Sequence, residues 1–413
     1  MYNATAQKTT DDIENILITY RKELNEELNS ILSYWISNTH DAVNGGFIGR
    51  IDENNVKHPE APKGAVLNSR ILWAFASAYN ITRDAEHLYL ARIAFNYLQN
   101  NFVDKKYGGV FWSVTSTGQP LDTKKQIYAL AFAIYGCCAF HEASHNQAAK
   151  QTAIELYHQI EAHSFDQQHG GYFEAFTREW QPIDDVRLSA KDANEKKTMN
   201  THLHVLEAYS SLYKIWPDVA LRTQIKKLLE NFIDYIVDPA TGHLRLFFND
   251  TWKSKSPIIS YGHDIEAAWL LLEAAKTIAE LPMIEKITIA SKKISQSSIE
   301  GLDTDGSLWY EYDAAANHYT KEKHWWVQAE AMVGFFDRWE LTGDTADLER
   351  SVKCWEYTKE FIRDKDHGEW LWGRDKKEEI MEHQDKVGIW KCPYHNSRAC
   401  IELINRINTR LPN

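Results

Sequence analysis

The hydrophobic pattern of this chain changes register in a regular way. The stretch IYALAFAIYGCCAFHEAS, residues 127–144, is apolar nearly all round a helix, whereas AAKQTAIELYHQIEAHSF, residues 148–165, keeps apolar positions on one face and charges on the other. The first pattern predicts a helix buried on every side, and the second a helix that covers it from outside. Such pairs alternate with a third pattern: an Asp, a short gap, one or two glycines, then alternating apolar and polar positions, as in Trp309, Tyr310, Glu311 and Tyr312. That alternation predicts a short strand or hairpin.

The third pattern recurs as DAVNGGFIGRID from Asp41, DKKYGGVFWSV from Asp104, DQQHGGYFEAF from Asp166, DPATGHLRLFF from Asp238, DTDGSLWYEYD from Asp303 and DKDHGEWLWGR around Asp366. Its glycines, Gly46, Gly109, Gly171, Gly242, Gly306 and Gly368, stand about 60 to 70 residues apart, a period that marks a repeating unit. No unit of hairpin, inner helix and outer helix buries its apolar face alone. Six of them closing on one another give an all-α (α/α)6 barrel: two concentric rings of six helices, with the hairpins gathered at one end. This predicts one catalytic domain over residues 1–413, with residues 1–10 a flexible tail. An open solenoid is the alternative, but the near-constant spacing and the apolar inner helices favour closure. The glycines read as positive-φ turn formers, architecture rather than chemistry.

Composition removes several function classes. A net charge of −12 and a pI near 5.8 argue against nucleic acid as a partner. The longest nearly apolar run, Tyr128 to Phe140, falls short of the roughly 20 residues that span a bilayer, so no membrane partner is expected. The amino terminus, MYNATAQKTTDDIENIL, is polar and acidic where an export signal is basic and then apolar, which points to the cytoplasm. Cys137, Cys138, Cys354, Cys392 and Cys400 are odd in number and without zinc-site spacing, as reduced thiols would be. No glycine-rich nucleotide loop is present, so no cofactor is expected and the chemistry falls to side chains.

Polar residues near the start of each inner helix should converge on one pocket at the barrel axis. They are Arg70, Tyr128, His202 and His204, His263 and Glu266, Trp325, Trp326 and Glu330, and Trp390 with His395. His263 and Glu266 are three apart, so on a helix they share a face and the carboxylate is expected to bias the imidazole. His202 and His204 are two apart, so one faces the axis, expected to be His204, while the other packs or caps. Arg70 reads either as half of a buried ion pair or as a donor to ligand oxygen. Trp325 reads as packing and Trp326 as a platform for a sugar ring. The histidines lack the H-E-x-x-H pattern of a zinc site, so no metal is expected.

From about Tyr20 to Asn405 the chain resembles the cellobiose 2-epimerases of the N-acylglucosamine 2-epimerase superfamily, through GGFIGRID, HPEAPKGAVLNSRILWAFASAY, NTHLHVLEAY, YGHDIEAAWLL, HWWVQAEAMVGF and CPYHNSRACIEL. The resemblance implies an (α/α)6 barrel that reversibly inverts carbon 2 of the reducing-end glucose or mannose of a β-1,4-linked disaccharide. It places Arg70, His204, His263, Glu266 and His395 at the essential polar positions, and Tyr128, Asp192, Trp326 and Trp390 at positions that hold the sugar; Glu330, at the same mouth, joins the sugar-binding set. The chemistry calls for acid/base groups on both faces of an enediol, assigned to His263 and His395, and for donors to the carbonyl oxygen, assigned to Arg70 and His204. Glu266 is expected to orient His263. The partner is then a small disaccharide, and a monomer is expected rather than a dimer. The alternatives are an N-acylglucosamine 2-epimerase or mannose/ketose isomerase of the same superfamily, an inverting glycosidase using Glu266, Glu330 or Asp192, and a non-catalytic sugar-binding protein.

Overall fold

The computed structural model describes residues 9–411. Among them twelve α-helices follow in chain order: α1 (Thr10–Thr39), α2 (Ala65–Thr82), α3 (Ala85–Tyr97), α4 (Ile127–Ser144), α5 (Gln147–His163), α6 (Met199–Ile215), α7 (Val219–Asn231), α8 (Tyr261–Ile278), α9 (Leu281–Ser298), α10 (Trp325–Thr342), α11 (Thr345–Tyr357) and α12 (His395–Asn408). Even-numbered helices form the inner ring, in which α2, α4, α6, α8, α10 and α12 each touch the next and α12 returns to α2. The odd-numbered helices lie outside, α1 and α11 against α12 and α10, and α3, α5, α7 and α9 each against the inner helix before it and the one after it. The predicted (α/α)6 barrel is the observed fold, and the open stack is not.

The unit order holds for five pairs and changes at the seam. There α12 is covered by α1, so the two ends of the chain supply the sixth pair. Polar contacts fix this closure: Tyr20 Oη meets Ser351 Oγ at 3.2 Å, and the indoles of Trp355 and Trp370 donate to Glu23 (2.6 Å) and Glu27 (2.7 Å). Of the expected tail, residues 1–8 lie outside the described residues. Thr9 and Thr10 belong to the helix start instead, because Thr9 and Asp12 form a capping box. Helix α4 is long and apolar enough to cross a membrane, yet 72% of that stretch is buried inside the barrel.

The Asp-Gly repeats are the loops between the rings. Asp41, Asp104, Asp166, Asp238 and Asp364 each accept the backbone N–H groups two and three residues on. The leading acid of the sixth copy is therefore Asp364, not Asp366. Glycines four residues after these acids, such as Gly45 (φ 78°) and Gly108 (φ 75°), take the left-handed backbone that the tight return needs.

Short strands lead in and out of the loops: β1 (Lys63–Gly64), β2 (Ser113–Val114), β3 (Pro120–Asp122), β4 (Lys125–Gln126), β5 (Ala175–Phe176), β6 (Lys197–Thr198), β7 (Phe247–Phe248), β8 (Ile258–Ser260), β9 (Glu311–Asp313), β10 (His318–Thr320), β11 (Lys323–His324) and β12 (Gly373–Arg374). They pair antiparallel as β1-β2-β3, β4-β5, β6-β7, β10-β9-β8 and β11-β12. The pairs β1-β2, β4-β5, β6-β7, β8-β9 and β11-β12 each join the entry of one inner helix to the loop of the next unit, which fixes where the inner helices begin, while β2-β3 and β9-β10 are hairpins within one loop. A buried lysine locks four of these entries: Lys63 to Asp41 (2.8 Å), Lys125 to Asp104 (2.9 Å), Lys197 to Asp166 (2.7 Å) and Lys323 to Asp303 (3.3 Å).

Candidate active site

The first two turns of the inner helices open on a cavity of about 470 Å³. Arg70, His204, Glu266 and Glu330 are each the sixth residue of their helix (α2, α6, α8, α10), so one repeat position delivers four polar groups to the axis. Nine of the ten residues expected at the site line this cavity: Arg70, Tyr128, Asp192, His204, His263, Glu266, Trp326, Trp390 and His395. Asp192 arrives on the loop between β5 and β6, where its carboxylate accepts from the backbone N–H (2.9 Å) and Oγ (3.0 Å) of Ser189. A branch of about 170 Å³ runs under that loop, past Glu174 and Glu311.

The tenth residue, Glu330, is corrected from sugar contact to support. It is buried, with Oε1 accepting from His395 Nδ1 (2.7 Å) and Arg398 Nη2 (2.6 Å), and Oε2 accepting from the Trp269 indole (3.2 Å). Glu266 is corrected as well. It shares a helix face with His263 but gives its carboxylate to Arg398 Nη2 at 2.6 Å, because the buried guanidinium is the stronger partner. His263 Nδ1 meets Ser260 Oγ at 2.8 Å instead. His204 donates from Nδ1 to Glu207 (2.9 Å), and Glu207 also holds Arg398 and the Tyr394 hydroxyl (2.8 Å).

His202 points away from the axis as expected. It is wholly buried, its Nδ1 on the Thr198 carbonyl (2.6 Å) and its Nε2 accepting from the Tyr172 N–H (2.9 Å). Trp325 packs against Trp372, the rings tilted by 54° with centres 4.4 Å apart, and it also lines the cavity. Arg70 is not half of a carboxylate pair. Its guanidinium donates to Tyr128 Oη (2.8 Å), lies over the rings of Phe132 (4.1 Å) and Tyr394 (4.6 Å), and leaves a buried Nε without a partner.

Burial governs the charge states. It pushes His263 down to about 3, with His204 adding to the effect, and it holds His204 and His395 below the usual imidazole range, so all three are neutral near pH 7. Burial raises Glu266 to about 8, with nearby Glu330 adding to it. Burial would raise Glu207 too, but Arg398 and His204 overcome it and bring the carboxylate to about 2. With Nδ1 of His263 and of His395 engaged, each ring keeps Nε2 for a ligand, and both rings pack against the Trp326 indole, at 4.8 and 5.7 Å.

Glu266, Glu330 and His395 also bring three ligand-type atoms within 4.8 Å of one another. Arg398 already occupies the facing oxygens of both carboxylates, and a cation added there would oppose the guanidinium. Arg398, Glu207, Tyr394 and Ser260 were missed from the sequence. The signal for the first two was available, since Glu207 and Arg398 stand three residues after His204 and His395, the spacing that drew attention to His263 and Glu266.

The profile of the family described as N-acylglucosamine 2-epimerase (GlcNAc 2-epimerase) matches residues 46–399. The chain belongs to the N-acylglucosamine 2-epimerase family. Among proteins similar to it is a cellobiose 2-epimerase of Bacteroides fragilis, 47% identical over 385 residues, which span 93% of this chain and 98% of that protein. A cellobiose 2-epimerase of Ruminococcus albus is 37% identical over 93% of this chain and 98% of its own length. The solved structure of the cellobiose 2-epimerase from Bacillus thermoamylovorans superposes with a TM-score of 0.90 at 37% identity, covering 94% of this chain and 99% of that one.

Proposed function

We propose that this member of the family is a cellobiose 2-epimerase, which reversibly inverts carbon 2 of the reducing-end glucose or mannose of a β-1,4-linked disaccharide such as cellobiose, lactose or mannobiose. The observation that carries the reading is the pair of neutral imidazoles, His263 and His395, anchored through Nδ1 and set against one indole in the axial cavity. After the sugar ring opens, one imidazole takes the carbon-2 proton and becomes an imidazolium; the other, having picked up a solvent proton beside the negative enediolate, gives it to the opposite face, and the first ring releases its proton to solvent. Glu330 fixes His395 with its proton on Nδ1, so Nε2 carries the lone pair of a base. Ser260 is a hydroxyl, able to donate or accept, so it stays bonded to His263 Nδ1 whether the ring is the neutral base or the imidazolium acid.

Charge gathers on the former carbonyl oxygen as the proton leaves. Arg70, cationic and with its Nε unspent, is the donor assigned to that oxygen, while His204, neutral and with its Nδ1–H given to Glu207, turns an accepting Nε2 toward a sugar hydroxyl. Trp326 and Trp390 offer apolar faces to the sugar rings, and Tyr128 and Asp192 its hydroxyl partners. We propose a cofactor-independent catalytic domain that works as a monomer. Its five cysteines are buried and unpaired, as suits a cytoplasmic protein. Glu266 and Glu330 do not form the carboxylate pair of the inverting-glycosidase alternative. Glu266 and Glu330 bring their oxygens within 4.8 Å and share one guanidinium, whereas inverting pairs stand about 6.5 to 9.5 Å apart.

The test is proton NMR of EDTA-treated protein with cellobiose in heavy water. A glucosyl-mannose product deuterated at carbon 2 is the expected result. Release of glucose, or cellobiose that stays unlabelled while mannobiose and N-acetylglucosamine do too, overturns the reading.

A further inference from the structure

Three carboxylates, Glu207, Glu266 and Glu330, converge on the single wholly buried guanidinium of Arg398. One cation cannot hold three anions in a low-dielectric interior, so the cluster keeps a proton. The hydrogen-bond donors decide where it sits. Glu207 receives Arg398, His204 Nδ1–H and the Tyr394 hydroxyl, and Glu330 receives Arg398, His395 Nδ1–H and the Trp269 indole. Glu266 receives Arg398 alone among the described contacts, and it is the member of the trio that lines the cavity.

We propose that Arg398 is a positioning residue that divides one N–H₂ group between Glu266 and Glu330, so that Glu266 faces the sugar as a carboxylic acid while Glu330 stays the anionic acceptor of His395. The neutral carboxyl donates a hydrogen bond to a sugar oxygen that carries no proton, the ring or carbonyl oxygen, which an anion in the same place would repel. The titratable and charged groups facing Glu266 from neighbouring elements are Glu330 on α10, Arg398 and His395 on α12, Tyr394 just before it, Glu207 and His204 on α6, Tyr128 on α4 and, in the same cavity, the cationic Arg70 on α2, which bonds Tyr128. Burial and the adjacent Glu330 raise Glu266 to about 8, in keeping with the donor count; burial raises Glu330 too, but there Arg398 and the Trp269 indole pull the other way. The donor is present below that pH and lost above it, so turnover on a disaccharide should decline as pH rises past about 8. This rests on the epimerase reading, but the proton itself can be observed without substrate.

The first experiment is infrared difference spectroscopy of the intact protein against E266Q at neutral pH. Loss of a protonated-carboxyl band in E266Q is expected, and subtraction removes the band of Glu174, another carboxyl that burial raises to about 8. A difference showing only a lost carboxylate, or a protonated band removed by E330Q rather than by E266Q, overturns the proposal whether or not the protein epimerises sugar. The second is the pH profile of epimerisation. An amide still donates, so E266Q should keep kcat within about tenfold and lose the alkaline decline. R398K, whose ammonium cannot serve both carboxylates as a planar fork, should move the decline by about one pH unit and lower kcat more than it changes KM. An unmoved decline in both variants, with circular dichroism showing both folded, overturns it.

Discussion

His395 and His263 differ in what fixes them, a carboxylate for one and a hydroxyl for the other, and the difference has a kinetic signature. If each ring serves one face of the enediol, H395N and H263N should each lower epimerisation by about 10² to 10⁴ with KM changed only a few-fold. Each should still exchange the carbon-2 proton of one epimer with heavy water, and of opposite epimers. Exchange lost from both epimers in either variant would mean that the two rings do not divide the faces. His202 makes a separate prediction, on stability. Burial lowers it to about 4, so below about 6.5 the unfolded chain binds a proton that the folded chain refuses. Stability should therefore fall as pH drops from about 6.5 toward 4, by about 1.4 kcal/mol per pH unit for each such histidine. The lowered His204, His263 and His395 add in the same direction. Urea unfolding at several pH values should show a steep acid limb that H202Q makes shallower, and a flat limb in the unaltered chain would contradict the assignment. At this scale the sequence named the cavity-lining groups but mispaired two of them. Spacing along a helix shows which side chains share a face, and it is blind to a guanidinium arriving from α12 that outcompetes an imidazole for Glu266.

Among elements, legibility came from the repeat. The loops with Asp and Gly announced where each inner helix would begin, and the register of those beginnings brings Arg70, His204, Glu266 and Glu330 to one level of the barrel. The lysines that enforce the register went unnoticed, because Lys63, Lys125 and Lys197 stand in polar segments where a lysine reads as solvent-exposed. Lys63 is wholly buried between Asp41 Oδ2 (2.8 Å) and the Gly45 carbonyl (2.7 Å). Replacing it with Met leaves Asp41 without its cation and should cost about 3 to 5 kcal/mol of unfolding free energy, since breaking one side of a buried pair strands the other. D41N in the same chain should return part of the loss. Equal losses in the single and double variants would show that lysine packing, not the ion pair, holds the entry of α2.

Across the whole molecule, closure is what distinguishes this barrel from a stack of helix pairs. In a stack the first helix has one neighbour and frays, but here α1 is gripped from α11 through Tyr20 and Glu23, from the loop after it through Glu27, and packs along α12. The sixfold repeat made a ring legible, yet not that its seam would join the two ends of the chain, because pattern within a unit carries no information about contacts more than three hundred residues apart. Closure also bears on chemistry, since His395 and Arg398 stand on the helix that α1 covers. Loosening α1 should then loosen one acid/base group and the charge hub together. Native-state hydrogen exchange tests this: amides of α1 around Tyr20 to Leu28 should be protected as strongly as those in the middle of α6, and exchange with them in one cooperative unit. E27Q should lower protection along α1 and α12 while barely affecting α5. Faster exchange of α1 in the unaltered chain would mean that the seam opens independently, and that the site has a mobile wall instead of a fixed one.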